Sequence, residues 1–360
     1  MYRLRGTLLG PDGGREAELY VDTAGRFADG RPAGADTLVD GGFLVPGLVD
    51  AHCHVGIGPR GAVPLDEAAV QAQTDRDAGT LLIRDCGSPV DTRPLQDRPE
   101  LPEIVRAGRH LGRPKRYIPG LGVELDDPAL LPDAVREQAR AGDGWAKLVG
   151  DWIDREVGDL APLWPDDVLA AAIDAAHVEG ARVTAHVFGT DALPGLIGAG
   201  IDCIEHGTGL SADLIDAMVR NGVALVPTVK QLGNFPAYAD AGRERFPAYA
   251  DHMMRLFGSR REVIGSAYDA GVAIYAGTDA GGVLPHGLIG QEVVELSTYG
   301  LTPEDALGAA SWRARAWLGL DDNLAEGTTA DFVVFDRNPL EDLTVLASPR
   351  RIVLRGTVVG

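Results

Sequence analysis

From Phe43 to about Gly282 the chain alternates short apolar runs with longer segments of helical pattern, and this alternation limits its architecture more than any other feature. The apolar runs read "FLVPGLVDAHCH", "TLLIRDCG", "EIVRAGR", "WAKLVGD", "ARVTAHVFG", "IDCIEHG", "VALVPTV" and "VAIYAGTDAGG". Between them lie segments such as "LDEAAVQAQTDRDAG", "PDDVLAAAIDAAHVEG" and "SADLIDAMVRNG", most of which close on glycine, a common stop for a helix. About eight strand–helix units in succession predict an α/β fold, a parallel (β/α)8 barrel of the TIM type. The alternative is an open, doubly wound sheet. A nucleotide-binding version of that sheet is disfavoured, because no Gly-rich phosphate fingerprint follows the first strand. A chain of 360 residues that is 45% hydrophobic has ample material for a large core.

The two ends differ from the middle. "YRLRGTLLG", "REAELYVD" and "GRFADGRPAG" near the start, and "ADFVVFDRNPLEDL" and "PRRIVLRGTVVG" near the end, read as short strands broken by turns. The expected organisation is a small β unit made from residues 1–44 and 326–360, beside a central unit of residues 45–325.

The formal net charge of −20 argues against nucleic acid and anionic membrane surfaces as partners and leaves a small-molecule substrate open. A homo-oligomer is also left open. Cys53, Cys86 and Cys203 are odd in number and widely spaced, so no disulfide framework follows and a reducing compartment fits. The start of the chain has no apolar stretch of signal-peptide length and no run is long enough to span a bilayer, so the expected address is the cytoplasm.

Chemistry in a barrel sits at the carboxyl ends of its strands, and the unusual polar residues fall there. His52 and His54 close the first apolar run; Lys147, His186, His206 and Asp279 lie in or at the ends of later ones. Side chains two apart on a strand share a face, so His52 and His54 point together and Cys53 points away. Taken singly, a buried histidine is usually structural, a buried lysine ion-paired, and an Asp before Gly a turn residue. Taken together, four imidazoles, an amine and a carboxylate at five strand ends converge on one mouth. Imidazole and carboxylate oxygen suit a borderline metal such as zinc.

These residues and their surroundings resemble the metal-dependent amidohydrolase superfamily, and within it the branch of imidazolonepropionase-related enzymes and prolidase-like dipeptidases. The resemblance runs through "VPGLVDAHCH", "WAKLVGD", "VTAHVFGTDALPGLIGAGIDCIEHGT", "DAGVAIYAGTDAGG" and "GTTADFVVFDRNPLEDL", nearly the whole chain. It implies a (β/α)8 barrel with a flanking β-sandwich built from both termini. It implies two divalent ions, zinc by preference: His52, His54 and Asp279 on one, His186 and His206 on the other. Lys147 matches a strand-four lysine that is often carboxylated in this branch, and its carbamate would bridge the two ions. The implied activity is hydrolysis of an amide-type C–N bond by a metal-activated hydroxide, with Asp279 as the catalytic proton carrier.

Other residues carry weaker expectations. "IVRAGRHLGRPKRYIPGLG" departs from the small, Gly-rich pattern of close relatives and supplies Arg113, Lys115, Arg116 and Tyr117, a basic and aromatic loop that could clamp a substrate carboxylate. His286 and Lys230 are candidates to face substrate. Asp50 is expected to orient the strand end or a ligand, Arg84 and Asp85 to form an internal ion pair, and the cysteines to be small buried residues. A carboxylate anchor favours a dipeptide or N-acyl amino acid over a cyclic amide such as an imidazolone. Lactones and esters are alternatives, and a non-catalytic scaffold is the remote one.

Overall fold

The computed structural model describes residues 1–360 except 29, 31–33 and 322. The β-branched and leucine-rich runs form strands that are buried along their whole length: Leu48–Cys53, Thr80–Asp85 and Trp145–Val149. Burial on both faces is the signature of a parallel sheet covered by helices. Leu48–Cys53 pairs in parallel with Thr80–Asp85, which pairs with Glu103–Arg106. The same third segment continues to Leu111, which pairs with Leu148 of Trp145–Val149. Arg182–Val187, Cys203–His206 and Ala224–Val226 then follow in order. Leu225 bridges Ile274, and Ala280 bridges Cys53, both in parallel, with the Ala51 amide donating to the Ala276 carbonyl at 2.8 Å. The pairings thus leave the first strand and return to it. The alternation of strands and helices along the chain makes the class α/β, as its sequence pattern predicts.

The connecting helices bury one stripe against this ring. Ala212–Asn221 covers it with Ile215 and Met218 and stops at Gly222, whose φ of 67° is left-handed. A residue without Cβ takes that conformation cheaply, which is why the "RNG" sequence ends the helix there.

Both ends of the chain join one seven-stranded sheet. Its order is Thr357–Val358, Arg351–Leu354, Phe332–Phe335, Asp36–Pro46, Tyr2–Gly10, Gly13–Val21, Phe27–Ala28. Expected as a sandwich, these strands are hydrogen-bonded side by side as a single sheet. Alternation lets Phe332–Phe335 face two cores at once: Phe332 and Val334 pack with Leu4, Val39 and Val353, while Val333 and Phe335 join the large core of the ring. Among the described residues no helix is long and apolar enough to cross a membrane.

Phe332 is fully buried between Phe27, at a ring distance of 5.9 Å, and the terminal strands. Phe332→Ala is expected to lower the stability of the terminal sheet by about 3–5 kcal/mol, read as an earlier urea unfolding midpoint. A midpoint unchanged from wild type would mean that the sheet does not depend on this contact.

Candidate active site

The ends of the ring strands bring His52, His54, Lys147, His186, His206 and Asp279 to the wall of one cavity of about 500 Å³. Two of them, His206 and Asp279, need a special backbone to get there. Cys203–His206 is extended, so Glu205 and His206 should point to opposite faces. His206 instead has a φ of 67°, which turns its ring back toward the side Glu205 occupies. Asp279 is likewise left-handed at 56°, as is Thr228 at 48°. Such non-glycine conformations cost on the order of 1–3 kcal/mol each and persist where surrounding contacts hold them.

Those contacts also set the imidazole tautomers. His52 Nδ1 lies 2.7 Å from Glu205 Oε2, and a carboxylate can only accept, so Nδ1 carries the proton. His54 Nδ1 donates to the Gly87 carbonyl at 2.9 Å, and His206 Nδ1 meets the Thr228 hydroxyl at 2.7 Å. The Nδ1 protons of His52 and His54 are fixed in this way, whereas the Thr228 hydroxyl can serve His206 as donor or as acceptor. The Nε2 atoms of His52 and His54 stand 3.3 Å apart, and 3.2 and 3.0 Å from Asp279 Oδ1. His206 Nε2 faces His186 Nδ1 at 2.9 Å. Burial drives His206 down to about 3 and His186 well below the usual imidazole range, so both are neutral. Burial pushes the Asp279 carboxyl up, but His52 and His54 outweigh it and hold it well below the usual carboxylate range. Imidazole nitrogens and a carboxylate therefore converge, a donor set suited to a cation. Lys147 is 1% exposed, and its Nζ has no hydrogen-bond partner.

Behind the histidines lies a charged group that sequence reasoning missed. Glu205 is fully buried and accepts from His52, from Arg84 Nη2 at 2.7 Å and from the Thr184 hydroxyl. Arg84 thus pairs with Glu205 rather than with Asp85; neighbours on a strand point to opposite faces, and Asp85 accepts instead from the Gly87 amide at 2.9 Å. Asp50 accepts from the amides of His52 and Thr278 and from the Thr278 hydroxyl. It latches the first strand to the segment carrying Asp279. His110, also missed, is buried with neither ring nitrogen partnered, its ring 5.0 Å from those of His54 and Tyr117.

Of the expected substrate residues, only Tyr117 lines the cavity. His286 does not line it; its side chain is instead buried against Asp75 on the helix Leu65–Asp77, with Nδ1 to Oδ2 at 2.7 Å. Arg116 is engaged by Asp154 at 2.6 Å and by the Ala161 carbonyl at 2.9 Å, Arg113 by the Asp126 carbonyl at 3.1 Å, and Lys230 lies 3.6 Å from Glu295. Lys115 is exposed. An acidic chain offers its arginines many carboxylates and carbonyls close by, and these local partners capture them before the cavity does. Trp152, Ile153, Phe188, Gln231 and Tyr238 line it instead. No motif marks them, because they come from connecting segments that only the fold brings together.

Residues 43–359 match the amidohydrolase family, and the chain belongs to that family. An uncharacterized protein of Mycobacterium tuberculosis is 59% identical over 336 residues, covering 93% of this chain and 90% of the relative. An ochratoxinase of Aspergillus niger is 29% identical over 225 residues, covering 61% of this chain and 46% of that protein. In fold, the chain is similar to a Xaa-Pro dipeptidase with methionine bound in its active site, with a TM-score of 0.82 and 23% identity over 99% of both chains. The crystal structure of the A. niger ochratoxinase gives a TM-score of 0.81 at 21% identity, covering 99% of this chain and 95% of that one.

Glu205→Gln keeps the shape but leaves Arg84 buried without its counter-charge. Stability is expected to fall by about 3–5 kcal/mol and affinity for added zinc by roughly 10–100-fold, measured by urea unfolding and by competition with a chromophoric chelator. Wild-type values in both would remove Glu205 from any role in holding His52.

Proposed function

We propose that this chain is a divalent-metal-dependent hydrolase of an amide-type C–N bond, working from the mouth of a (β/α)8 barrel flanked by the terminal sheet. The observation that carries this reading is the inward convergence of His52 Nε2 and His54 Nε2 on Asp279, and of His206 Nε2 on His186. His52, His54 and Asp279 would hold one ion and His186 and His206 a second, zinc by preference. Ions held there supply Lewis acidity and a water that ionises near neutral pH.

The chain's own groups do the rest. Lys147 Nζ, buried and unpartnered, is suited to take up carbon dioxide as a carbamate, which replaces a positive charge with a negative one among the ligands. The Glu205–His52 and Gly87–His54 hydrogen bonds hold a proton on each Nδ1 and aim each Nε2 inward as the atom that would ligate. Asp279, ionised at neutral pH, is placed to accept a proton at its carboxylate and return it to the leaving amine. The aromatic walls restrict water around it. The substrate is a small molecule, and three free buried cysteines fit work in the cytoplasm.

A preference for a dipeptide or N-acyl amino acid calls for a carboxylate clamp from the loop of Arg113, Lys115, Arg116 and Tyr117, whose planar donors are Arg113 and Arg116. Both are engaged outside the cavity, so amide hydrolysis is proposed without that anchor. Cyclic amides, lactones and esters call on the same acid–base set.

Protein grown with zinc and bicarbonate is expected to carry about two ions per chain by elemental analysis, one for each set of ligands, and to hydrolyse members of a screen of dipeptides, N-acyl amino acids, lactones and cyclic ureides. Metal-free protein that stays inert after zinc is added would sink the proposal. Asp279→Asn should keep much of its metal, because His52 and His54 remain, while kcat drops roughly 100-fold or more. A variant with full metal and near-wild-type kcat would move the proton transfer to another group.

A further inference from the structure

The cavity wall is apolar and aromatic, and it is uncharged above the ligand cluster. Tyr117, Leu121, Trp152, Ile153, Phe188 and Tyr238 make up much of it. Among the described residues that line it, Lys147 is the only lysine or arginine, and it lies with the histidines at the floor. Arg116, one of the cations expected from sequence to reach in, does different work. Besides Asp154, it donates to the carbonyls of Trp152 at 3.2 Å and Ala161 at 2.9 Å. These belong to the two strands of one hairpin, Asp151–Asp154 and Asp159–Pro162. The guanidinium is therefore a clasp that holds the hairpin whose Trp152 and Ile153 form the wall.

The rings are arranged to receive another ring. Tyr117 and Trp152 meet edge to face at 4.9 Å and 68°, and His186 and Phe188 at 4.3 Å and 60°. Edge-to-face walls leave both ring faces and ring edges open to a planar guest. A volume of about 500 Å³ accommodates a ligand of one or two rings beyond the reacting carbonyl. A free carboxylate against these walls would lose its water and gain no cation. The polar atoms on the wall are amides and phenols, with Gln231 in hydrogen-bond contact with Tyr238.

We propose that the cavity selects an uncharged aromatic carboxamide, with no free carboxylate beside the scissile bond, and that Trp152 and Gln231 help determine this choice. The proposal rests on the amide-hydrolase reading for its chemistry, but its binding preference can be measured without turnover.

The test uses the zinc-loaded full chain and two compounds that share one scissile bond, N-benzoyl-phenylalanine and its N-methylamide. Benzoate release and calorimetric binding are followed separately. The methylamide is expected to have a kcat/KM about tenfold or more above that of the free acid, and to bind more tightly. Trp152→Ala should weaken binding of both. Gln231→Arg, which adds a cation to the wall, should shift the ratio toward the acid by about tenfold, with Gln231→Lys as the substitute should the arginine variant fail to fold. Equal or tighter binding of the free acid by the wild-type protein overturns the proposal. Tighter binding of the methylamide with no benzoate released from either compound keeps the pocket assignment and counts against amide hydrolysis. A ratio unmoved by a folded Gln231→Arg or Gln231→Lys variant overturns the role of Gln231.

Discussion

A single buried carboxylate, Glu205, organises the interior of the ring. It accepts hydrogen bonds from Arg84 on the second strand, from Thr184 on the fifth and from His52 on the first. Burial alone would push its pKa up; Arg84 and His52 oppose this so strongly that it lies well below the usual carboxylate range. A charge so deep is tolerable only when it is fully paired, and the pairing couples three strands that are far apart in sequence. Removing Arg84 leaves the buried Glu205 charge exposed to its own desolvation cost. The position of His52 is thus tied to the integrity of the strand ring, not only to its own backbone.

Below Glu205, Arg84 is itself held between aromatic faces, its guanidinium carbon 4.5 Å from the ring of Trp145 and 4.8 Å from that of Trp317. Above it stand the histidines, then Lys147, then the apolar wall. Polarity therefore falls from the ligand layer outward to the cavity walls. Fixed charges and dipoles sit where a reacting carbonyl would need them, and apolar surface lies where the remainder of a substrate would rest. The left-handed turns at His206, Thr228 and Asp279 sit at this boundary. Each redirects a polar group at the end of a strand whose regular pleat would have sent it elsewhere.

How much of this was legible in the sequence depended on range. The α/β alternation is local, and so is the concentration of histidines at the ends of apolar runs, which is why six residues could be singled out together. Glu205 was invisible for a physical reason: next to His206 on a strand, it should face away from the site, and only the φ of 67° at His206 lets both serve it. Arg113, Arg116, Lys230 and His286 misled because an isolated positive charge in a loop carries no record of its partner. Asp154, Glu295 and Asp75 lie 38, 65 and 211 positions away from Arg116, Lys230 and His286 respectively. Trp152 had no motif to announce it, since its place in the wall is set by the clasp that Arg116 makes across the hairpin.

The acidic composition then has a structural use beyond solubility. Around the mouth, buried carboxylates accept from backbone amides where strands give way to loops. Asp50 takes those of His52 and Thr278, and Asp85 that of Gly87. Asp151 takes Phe188 and Gly189, Glu292 takes Val229 and Lys230, and Asp75 takes Gly287. Loops at the carboxyl ends of parallel strands have amides that the ladder no longer satisfies, and leaving them buried and unpaired is costly. A carboxylate side chain can accept two of them at once and pin both to a neighbouring element. Asp50, Asp85 and Asp151 stand at about 7, raised by burial, and the amide hydrogen bonds keep each of them from rising further. The loops that carry Phe188, Asp279 and the glycines at 281 and 282 are thereby anchored from behind, while their front faces line an apolar cavity in which Asp279 is the one acid among the described residues.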